Sequence, residues 1–409
     1  MWPLKKTEEN EHGRSEDVGV NRPGGARLGR GIKIGPSDLG LTDEGWSICK
    51  TTLRGGPSDG VDIIEVDNGA LSFSVLPTRG MGIWRAAYKG LDVAWNSPVK
   101  GPVHPSLIDL QDRGGLGWLA GFDEVVARCG LDSTGAPGTD VVPNNMGVAT
   151  EVDLTLHGKI ANLPASRVEI QVIPGDPTEL VVVGEVHEAG LFCPQYRLLA
   201  RVSTKVGSNS LLIEDEVRND KAVDADMELL YHCNFGPPFL QEGARLEVAA
   251  REVAPRDARA VEGLDAYETY VAPTAGYVEQ VYWYDLLAGE DGMTLAMLRN
   301  AAADKGLVLR FDKTQLPAFT QWKNTASTAD GYVTGLEPAT DYPNGKAFER
   351  KRGRLMKIGP GQTRCATLAI EVLDNAAAVT ATQGEIASLQ QGAQRQVHSE
   401  PIGKYSDLS

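Results

Sequence analysis

Short runs rich in Val, Ile and Leu recur along most of the chain, and Gly, Pro, Asp and Asn separate them. Runs of this kind between turn residues are typical of β-strands. Asp67-Asn68-Gly69 and the stretch 206–210 are hairpin signals between two such runs. The sequence predicts strands at Val61–Val66, Ala70–Leu76, Ile83–Tyr88, Arg167–Ile173, Leu180–Val186, Tyr196–Val206, Ser210–Val217, Met227–His232, Val278–Leu286, Thr294–Arg299, Gly306–Asp312, Ala318–Trp322, Val333–Leu336 and Thr363–Val372.

Helical patterns are scarce. Gly121–Cys129 fits a short helix, and the Ala- and Gln-rich stretch Ala376–Gln390 fits either a terminal helix or a loose tail. Many strands with few short helices indicate an all-β fold, and we expect a large antiparallel sandwich. No repeat of solenoid or propeller length is present.

The polar, Gly-rich residues 1–30 resemble a tail or arm rather than part of a core. No shift in composition marks a boundary after them. We therefore expect one sandwich domain over residues 31–375 and a C-terminal extension over 376–409.

Charge and composition narrow the class of partner. The chain has 409 residues and a formal net charge of -15 at pH 7, whereas nucleic-acid-binding proteins usually carry a basic surface. The five cysteines include no CxxC pair, which favours reduced thiols over a disulfide framework. Charged residues near the start argue against a signal peptide, and no apolar run is long enough to span a bilayer. We expect a cytoplasmic protein with a small-molecule partner and no nucleic-acid or membrane partner, and homo-oligomerisation stays open.

Motifs for cofactors are missing from the sequence. There is no GxxxxGK[ST], no HExxH, no GxSxG, and no GxGxxG after a strand. Glu185 and His187 share one strand face and could supply two metal ligands, but no third ligand is evident nearby. We predict neither a cofactor nor a metal ligand.

Two short stretches carry groups suited to proton transfer. Leu230–Gly236 reads Leu-Tyr-His-Cys-Asn-Phe-Gly, and because residues two apart share a strand face, His232 and Asn234 point the same way. Glu337 precedes a proline at the end of another predicted strand. A histidine and a glutamate brought together can act as acid and base. From spacing alone, a structural histidine and a solvated turn glutamate are the simpler interpretations of these two residues.

Further candidates surround these two stretches. Arg79 lies among glycines that let a guanidinium reach inward, where it could bind sugar hydroxyls or carboxylates. Trp118 and Phe122 lie in a Gly-rich segment and suggest an aromatic platform, since sugars stack their CH faces on such rings. His157 follows an apolar strand-like run, although a loop histidine is the simpler interpretation.

In this order the segments resemble the aldose 1-epimerase (galactose mutarotase) superfamily, and most closely its DUF4432 branch. The resemblance extends over roughly residues 45–373. It rests on residues 76–82 (LPTRGMG), 114–124 (GGLGWLAGFDE), 128–131 (RCGL), 157–158 (HG), 231–236 (YHCNFG), 242–246 (EGARL) and 335–340 (GLEPAT), and on the closing strand 360–370.

The resemblance implies a β-supersandwich that binds sugar on a concave sheet face. It implies that Glu337 is the catalytic base and His232 the acid, with Glu337 ionised and His232 protonated near neutral pH. Arg79 and His157 would contact substrate. We add as candidate sugar contacts Trp118, Asp123, Arg128, Asn234, Trp322 and Lys323.

The implied reaction interconverts sugar anomers by acid–base ring opening and closure. The His-Gly segment here lacks the longer Gly-rich motif of better-known mutarotases, so the sugar is not fixed. Two alternatives remain: a metal-assisted isomerase or lyase acting on a keto-sugar, and a non-catalytic carbohydrate-binding protein.

Overall fold

Strands make up most of the computed structural model, which describes residues 31–42 and 45–407. Within these residues the strands are β1 (Ile32–Ile34), β2 (Ser47–Thr52), β3 (Asp62–Asp67), β4 (Leu71–Leu76), β5 (Gly82–Tyr88), β6 (Leu91–Asp92), β7 (Val126–Leu131), β8 (Gly138–Pro143), β9 (Ala149–Leu154), β10 (Ala165–Ile173), β11 (Glu179–Ala189), β12 (Gln195–Lys205), β13 (Ser210–Asn219), β14 (Ala225–Phe235), β15 (Arg245–Val248), β16 (Ala250–Pro255), β17 (Gln280–Leu286), β18 (Met293–Arg299), β19 (Gly306–Asp312), β20 (Ala318–Asn324), β21 (Val333–Ala339), β22 (Met356–Ile358), β23 (Thr363–Leu373) and β24 (Gln396–Val397).

Helices are short, apart from the last one. Over the same residues they are α1 (Pro36–Leu39), α2 (Asp112–Gly115), α3 (Ala258–Val261), α4 (Lys346–Lys351) and α5 (Ala376–Gln390), with 3-10 turns at Gly56–Ser58, Pro105–Leu107, Gly117–Gly121, Ile160–Asn162, Leu264–Ala266 and Thr328–Asp330. The helix predicted over Gly121–Cys129 is wrong, because that stretch leaves a 3-10 turn and enters β7. None of the described helices is long and apolar enough to cross a membrane.

Two sheets dominate the described chain. The larger has 14 strands in the order β1-β2-β3-β4-β5-β7-β14-β21-β20-β17-β16-β24, with β6 beside β5 and β22 beside β14. The smaller has 8 strands in the order β10-β11-β12-β13-β23-β19-β18-β15, and β8 and β9 form a separate hairpin. Neighbouring strands pair antiparallel, except that β24 pairs parallel with β16. The prediction of a large antiparallel all-β sandwich is confirmed.

The main core lies between the two sheets, and side-chain alternation on β14 shows which groups face it. Tyr231, Cys233 and Phe235 belong to this core, together with apolar residues of the smaller sheet. Because side chains alternate along a strand, His232 and Asn234 face the opposite side of the larger sheet. We call that side the site face.

A buried ion pair joins the two sheets. Arg128 on β7 donates from Nε and Nη2 to the carboxylate of Asp215 on β13, at 2.6 and 2.8 Å, and the Tyr231 hydroxyl donates to the same carboxylate at 2.8 Å. Both charged side chains are fully buried. This position corrects the expectation that Arg128 contacts sugar, because its guanidinium lies in the core, away from the site face.

The C-terminal residues pack against both layers. The helix α5 covers a small apolar cluster that includes Met297 and Val308 of the smaller sheet. Farther on, Tyr405 is buried among residues of the site face, and Trp283 Nε1 donates to Ser406 Oγ at 2.9 Å. The predicted tail over residues 1–30 lies outside the described residues, and the proposed domain limits stay a prediction.

Replacing Arg128 with Leu should lower the free energy of unfolding by about 3–5 kcal/mol, because the buried Asp215 carboxylate would lose its counter-ion. Arg201→Leu is the matched control. Arg201 pairs with Glu179 and Glu214 on the solvent side of the smaller sheet, where we expect a loss of about 1 kcal/mol or less. Urea denaturation of both variants tests this, and equal losses would contradict the role assigned to Arg128.

Candidate active site

His232 and Glu337 lie directly opposite each other on neighbouring strands. In the antiparallel pair formed by β14 and β21, Leu230 lies opposite Ala339. Two positions farther along this pair, His232 therefore lies opposite Glu337. His232 Nε2 is 3.3 Å from Glu337 Oε1, and the two residues are 4% and 2% exposed. The structure thus brings the two groups together within reach of proton transfer, and Glu337 is not a solvated turn residue.

The other ring nitrogen of His232 is held by Asn234. The Nδ1 atom lies 2.6 Å from Asn234 Oδ1. The amide nitrogen of Asn234 donates to the carbonyls of Glu124 and His232, at 3.0 and 2.8 Å, which turns the amide oxygen toward the imidazole. An amide oxygen can only accept a hydrogen bond, so Nδ1 carries the hydrogen and, in the neutral ring, Nε2 presents its lone pair to Glu337.

Burial controls the charge of the pair. It raises the pKa of Glu337 to about 8, with a further rise from the charge of Glu279 and an opposing effect of Arg256. It lowers the pKa of His232 well below its usual value, aided by His157, while the bond to Asn234 opposes this. At neutral pH the proton therefore resides on Glu337. The expectation of an ionised Glu337 and a protonated His232 is corrected, because loss of hydration outweighs the mutual attraction of the charges.

His157 stands beside the pair in an uncommon backbone conformation. Its φ is 58°, a left-handed value that few side chains adopt without supporting contacts. Its ring lies 4.6 Å from that of Trp118 and 5.2 Å from that of His232, between centroids. Nδ1 donates to the carbonyl of Thr134 at 2.8 Å, and burial lowers the pKa of His157 to about 4. His157 is therefore neutral, with Nε2 as a hydrogen-bond acceptor.

Three aromatic rings enclose His232. The centroids of Phe122, Trp322 and Trp118 lie 5.0, 5.5 and 5.9 Å from its own. Trp118 is 1% exposed, and its Nε1 has no hydrogen-bond partner among the described residues. The structure places Trp118 and Trp322, both candidate sugar contacts, beside the pair, and Phe122 completes the enclosure.

Arg79 is buried and holds together the segments that build the site. It is 1% exposed and donates from Nε to Glu124 Oε1 at 2.7 Å. Its Nη1 donates to the Val103 carbonyl and to Asn162 Oδ1, each at 3.0 Å, and its Nη2 donates to the Gly121 carbonyl at 2.9 Å. The expected sugar contact of Arg79 is corrected, because these internal acceptors already engage the guanidinium.

Lys323 also departs from expectation. It follows Trp322 on β20 and therefore points to the opposite face of the sheet. There Nζ donates to the carbonyls of Ala266 and Thr269, at 3.0 and 2.7 Å, and lies 5.2 Å from the Tyr270 ring centroid. Burial lowers the pKa of Lys323 to about 8. Its role is to anchor a loop, which corrects the expected sugar contact.

Asp123 is fully buried next to the aromatic segment. Its Oδ2 accepts from Trp84 Nε1 at 2.9 Å, and its carboxylate packs against the Gly101 turn. Burial and the neighbouring charge of Glu124 raise the pKa of Asp123 to about 7. These contacts give Asp123 a structural position, and its predicted contact with sugar has no support in them.

Sequence reasoning missed a pair of charged residues at the edge of the site. Glu279 accepts from Trp322 Nε1 at 2.6 Å and from Arg256 Nη2 at 3.0 Å. Glu279 therefore fixes the Trp322 ring and acts on the charge of Glu337. No motif marks these residues, which lie in different segments and meet only in the fold.

Gly335 keeps open the space between the catalytic candidates. A Cβ atom at this position would lie 2.7 Å from Glu337 Oε1 and 2.9 Å from His232 Cε1. Any side chain here would displace the pair. The glycine of the Gly-Leu-Glu-Pro motif could have indicated this role, since a glycine inside a strand often marks a close approach.

The suggested metal ligands lie elsewhere. His187 Nε2 is 2.8 Å from Glu185 Oε1, and both side chains are partly exposed on the smaller sheet. Within residues 31–42 and 45–407, no group of three or more His, Cys, Asp and Glu side chains is placed to hold a metal ion.

Comparison with known families agrees with this architecture. A family model described as a domain of unknown function, DUF4432, matches residues 58–372, and the protein belongs to that family. A comparison with curated proteins gives no match.

Solved structures extend the likeness over nearly the whole chain. A candidate aldose 1-epimerase from Klebsiella pneumoniae is 36% identical, with a TM-score of 0.86 over 91% of this chain and 95% of that one. A galactose mutarotase-like protein from Clostridium acetobutylicum is 15% identical, with a TM-score of 0.53 over 80% and 98% of the two chains. The second likeness shows the fold alone, and together they establish the galactose mutarotase-like fold.

Glu337→Gln should change stability in a pH-dependent way. The pKa of Glu337 is raised to about 8 in the folded protein, so the unfolded chain ionises this carboxyl at a lower pH than the folded protein does. The native protein therefore has its full stability below pH 4.5 and loses stability as pH rises through 8. Glutamine cannot ionise and can still donate to His232 Nε2. We expect equal stability near pH 4.5 and a variant more stable by up to roughly 5 kcal/mol near pH 9.

Urea denaturation across this pH range measures the difference. Glu290→Gln, at an exposed turn, is the matched control and should show no such trend. A native protein more stable than Glu337→Gln near pH 9 would contradict the raised pKa.

Proposed function

We propose that the protein is an aldose 1-epimerase-like isomerase that interconverts the anomers of a free sugar. The observation that carries this proposal is the facing pair of His232 Nε2 and Glu337 Oε1, 3.3 Å apart. Their separation lets one proton donor and one proton acceptor reach the two oxygens bonded to an anomeric carbon. Membership in the DUF4432 family and the likeness to a candidate aldose 1-epimerase support it.

The chemistry needs two proton transfers around one carbon. One member of the pair gives a proton to the ring oxygen while the other takes the proton of the anomeric hydroxyl. The bond between the anomeric carbon and the ring oxygen breaks, and an open-chain aldehyde forms. Rotation of the aldehyde and closure from its other face give the other anomer, and both protons return.

The walls of the site suit a sugar ring. Trp118, Phe122 and Trp322 offer ring faces for sugar CH groups, and His157 Nε2 can accept a hydrogen bond from a hydroxyl. His157 and Trp322 are only partly buried, so we place substrate entry on their side. The enclosure keeps water from the pair, which strengthens its interactions with the reacting oxygens.

The alternatives gain no specific support from the described residues. A carbohydrate-binding protein without catalysis has no need for an acid and a base in contact, whereas here they face each other. A metal-assisted isomerase or lyase acting on a keto-sugar would draw on Glu185 and His187, which lie on the smaller sheet, or on His157 and His232. Among the described residues neither pair belongs to a group of three or more His, Cys, Asp and Glu side chains placed to hold a metal ion.

Two-dimensional exchange NMR on a panel of aldoses tests the proposal. Native protein should exchange anomers faster than buffer for at least one sugar. Glu337→Gln and His232→Gln should each slow that exchange by roughly 10²–10⁴-fold, the usual contribution of a general acid or base.

The control is Glu290→Gln, which should exchange at the native rate. Exchange by native protein no faster than in buffer across the panel, or full activity of Glu337→Gln, would overturn the proposed function.

A further inference from the structure

We propose that Asn234 is a positioning residue that holds His232 in one tautomer, so that Glu337 donates the first proton and His232 accepts it. This assignment rests on the proposed function, and it reverses the roles that the family resemblance implies. It also assigns to Asn234 a role other than the sugar contact predicted from the sequence.

The orientation of Asn234 is fixed on three sides. Its amide nitrogen donates to the carbonyls of Glu124 and His232, and its amide oxygen lies 2.6 Å from His232 Nδ1. The residue is fully buried, so water does not compete for these bonds. A flipped amide would turn its oxygen toward the two carbonyl oxygens, which also only accept, and both of those hydrogen bonds would be lost.

Support for this arrangement comes from Glu124 and Arg79. The Glu124 carbonyl that accepts a hydrogen bond from the Asn234 amide also accepts one from Trp95 Nε1, at 3.0 Å. The Glu124 side chain is held by Arg79 and by the backbone N–H of Asp123, at 2.7 and 3.1 Å. The acceptor for Asn234 is therefore part of a rigid, buried network rather than a mobile loop.

The tautomer of His232 determines whether a proton lies between His232 Nε2 and Glu337 Oε1. With its hydrogen on Nδ1, neutral His232 turns the Nε2 lone pair toward Glu337 Oε1, and two lone pairs at 3.3 Å favour a proton between them. The pair thus holds one proton, which makes either two neutral groups or two opposite charges.

The surroundings favour the neutral form. The aromatic rings, the neutral His157 and the buried thiol of Cys129 adjoin the pair and carry no charge. The charges of Glu279 and Arg256 act on Glu337 in opposite directions, so the loss of hydration decides against a buried ion pair. The raised pKa of Glu337 and the lowered pKa of His232 agree with a proton on Glu337.

The opening step then balances without any other reactant. The Glu337 O–H gives its proton to the ring oxygen, and the electrons of the broken carbon–oxygen bond remain on that oxygen. The anomeric hydroxyl gives its proton to His232 Nε2 as the carbonyl forms. Closure reverses both transfers, because His232 protonates the carbonyl oxygen and Glu337 takes back the proton of the ring hydroxyl. Asn234 Oδ1 accepts from Nδ1 throughout.

Nitrogen-15 NMR of histidine-labelled full-length protein tests the tautomer without any sugar. At pH 7 native protein should show His232 with a protonated Nδ1 and an unprotonated Nε2. Asn234→Asp places a carboxylate beside Nδ1, which favours a protonated ring, so both nitrogens should then be protonated. Asn144→Asp adds the same charge at the β8–β9 turn, where backbone N–H groups already surround the side chain, and should leave His232 unchanged.

A second measurement follows the pH profile of kcat/KM for anomer exchange. The loss of activity on the alkaline side should move up by about one pH unit or more in Asn234→Asp and stay in place in Asn144→Asp, since a nearby negative charge retains the proton of the pair.

A native His232 with a hydrogen on Nε2, or one protonated on both nitrogens at pH 7, would overturn the inference even if Asn234→Asp fails to fold. The predicted tautomer in a protein that exchanges no sugar would instead overturn the proposed function and leave Asn234 in its positioning role.

Discussion

The buried ion pair between Arg79 and Glu124 is the interaction on which the candidate site depends. Through Gly121 and Asn162 the same guanidinium ties down the aromatic segment and the segment that follows His157. Through Glu124 it steadies the acceptor of Asn234 and hence the orientation of His232. A buried charge pair of this kind is costly to break, because either partner left alone would be an uncompensated charge.

Strand register supplies the second constraint. His232 and Glu337 meet because β14 and β21 pair with Leu230 opposite Ala339, and the alternation of side chains then places both groups on the site face. A shift of one residue would send His232 into the core and bring Tyr231 to the site. The core side chains of Tyr231, Cys233 and Phe235 oppose such a shift, since they fill the space between the sheets.

Much of this arrangement could be predicted from the sequence. The strand runs indicated the all-β fold, and the two-residue period placed His232 and Asn234 on one face. The meeting of His232 with Glu337 came from the family resemblance rather than from spacing. Roles set by distant partners could not be predicted: Arg79 pairs with a carboxylate 45 positions away, and Arg128 with one 87 positions away. The charge state of Glu337 depends on burial, which spacing does not reveal.

We propose that the His232–Glu337 pair acts on the anomeric carbon of a sugar. A crystal structure of the protein with a bound reducing sugar tests it most directly. We expect the ring oxygen and the anomeric oxygen to lie about 2.6–3.2 Å from Glu337 and His232, with the ring against Trp118, Phe122 or Trp322. A sugar bound with its anomeric end away from both groups, or bound on another face of the protein, would contradict the claim.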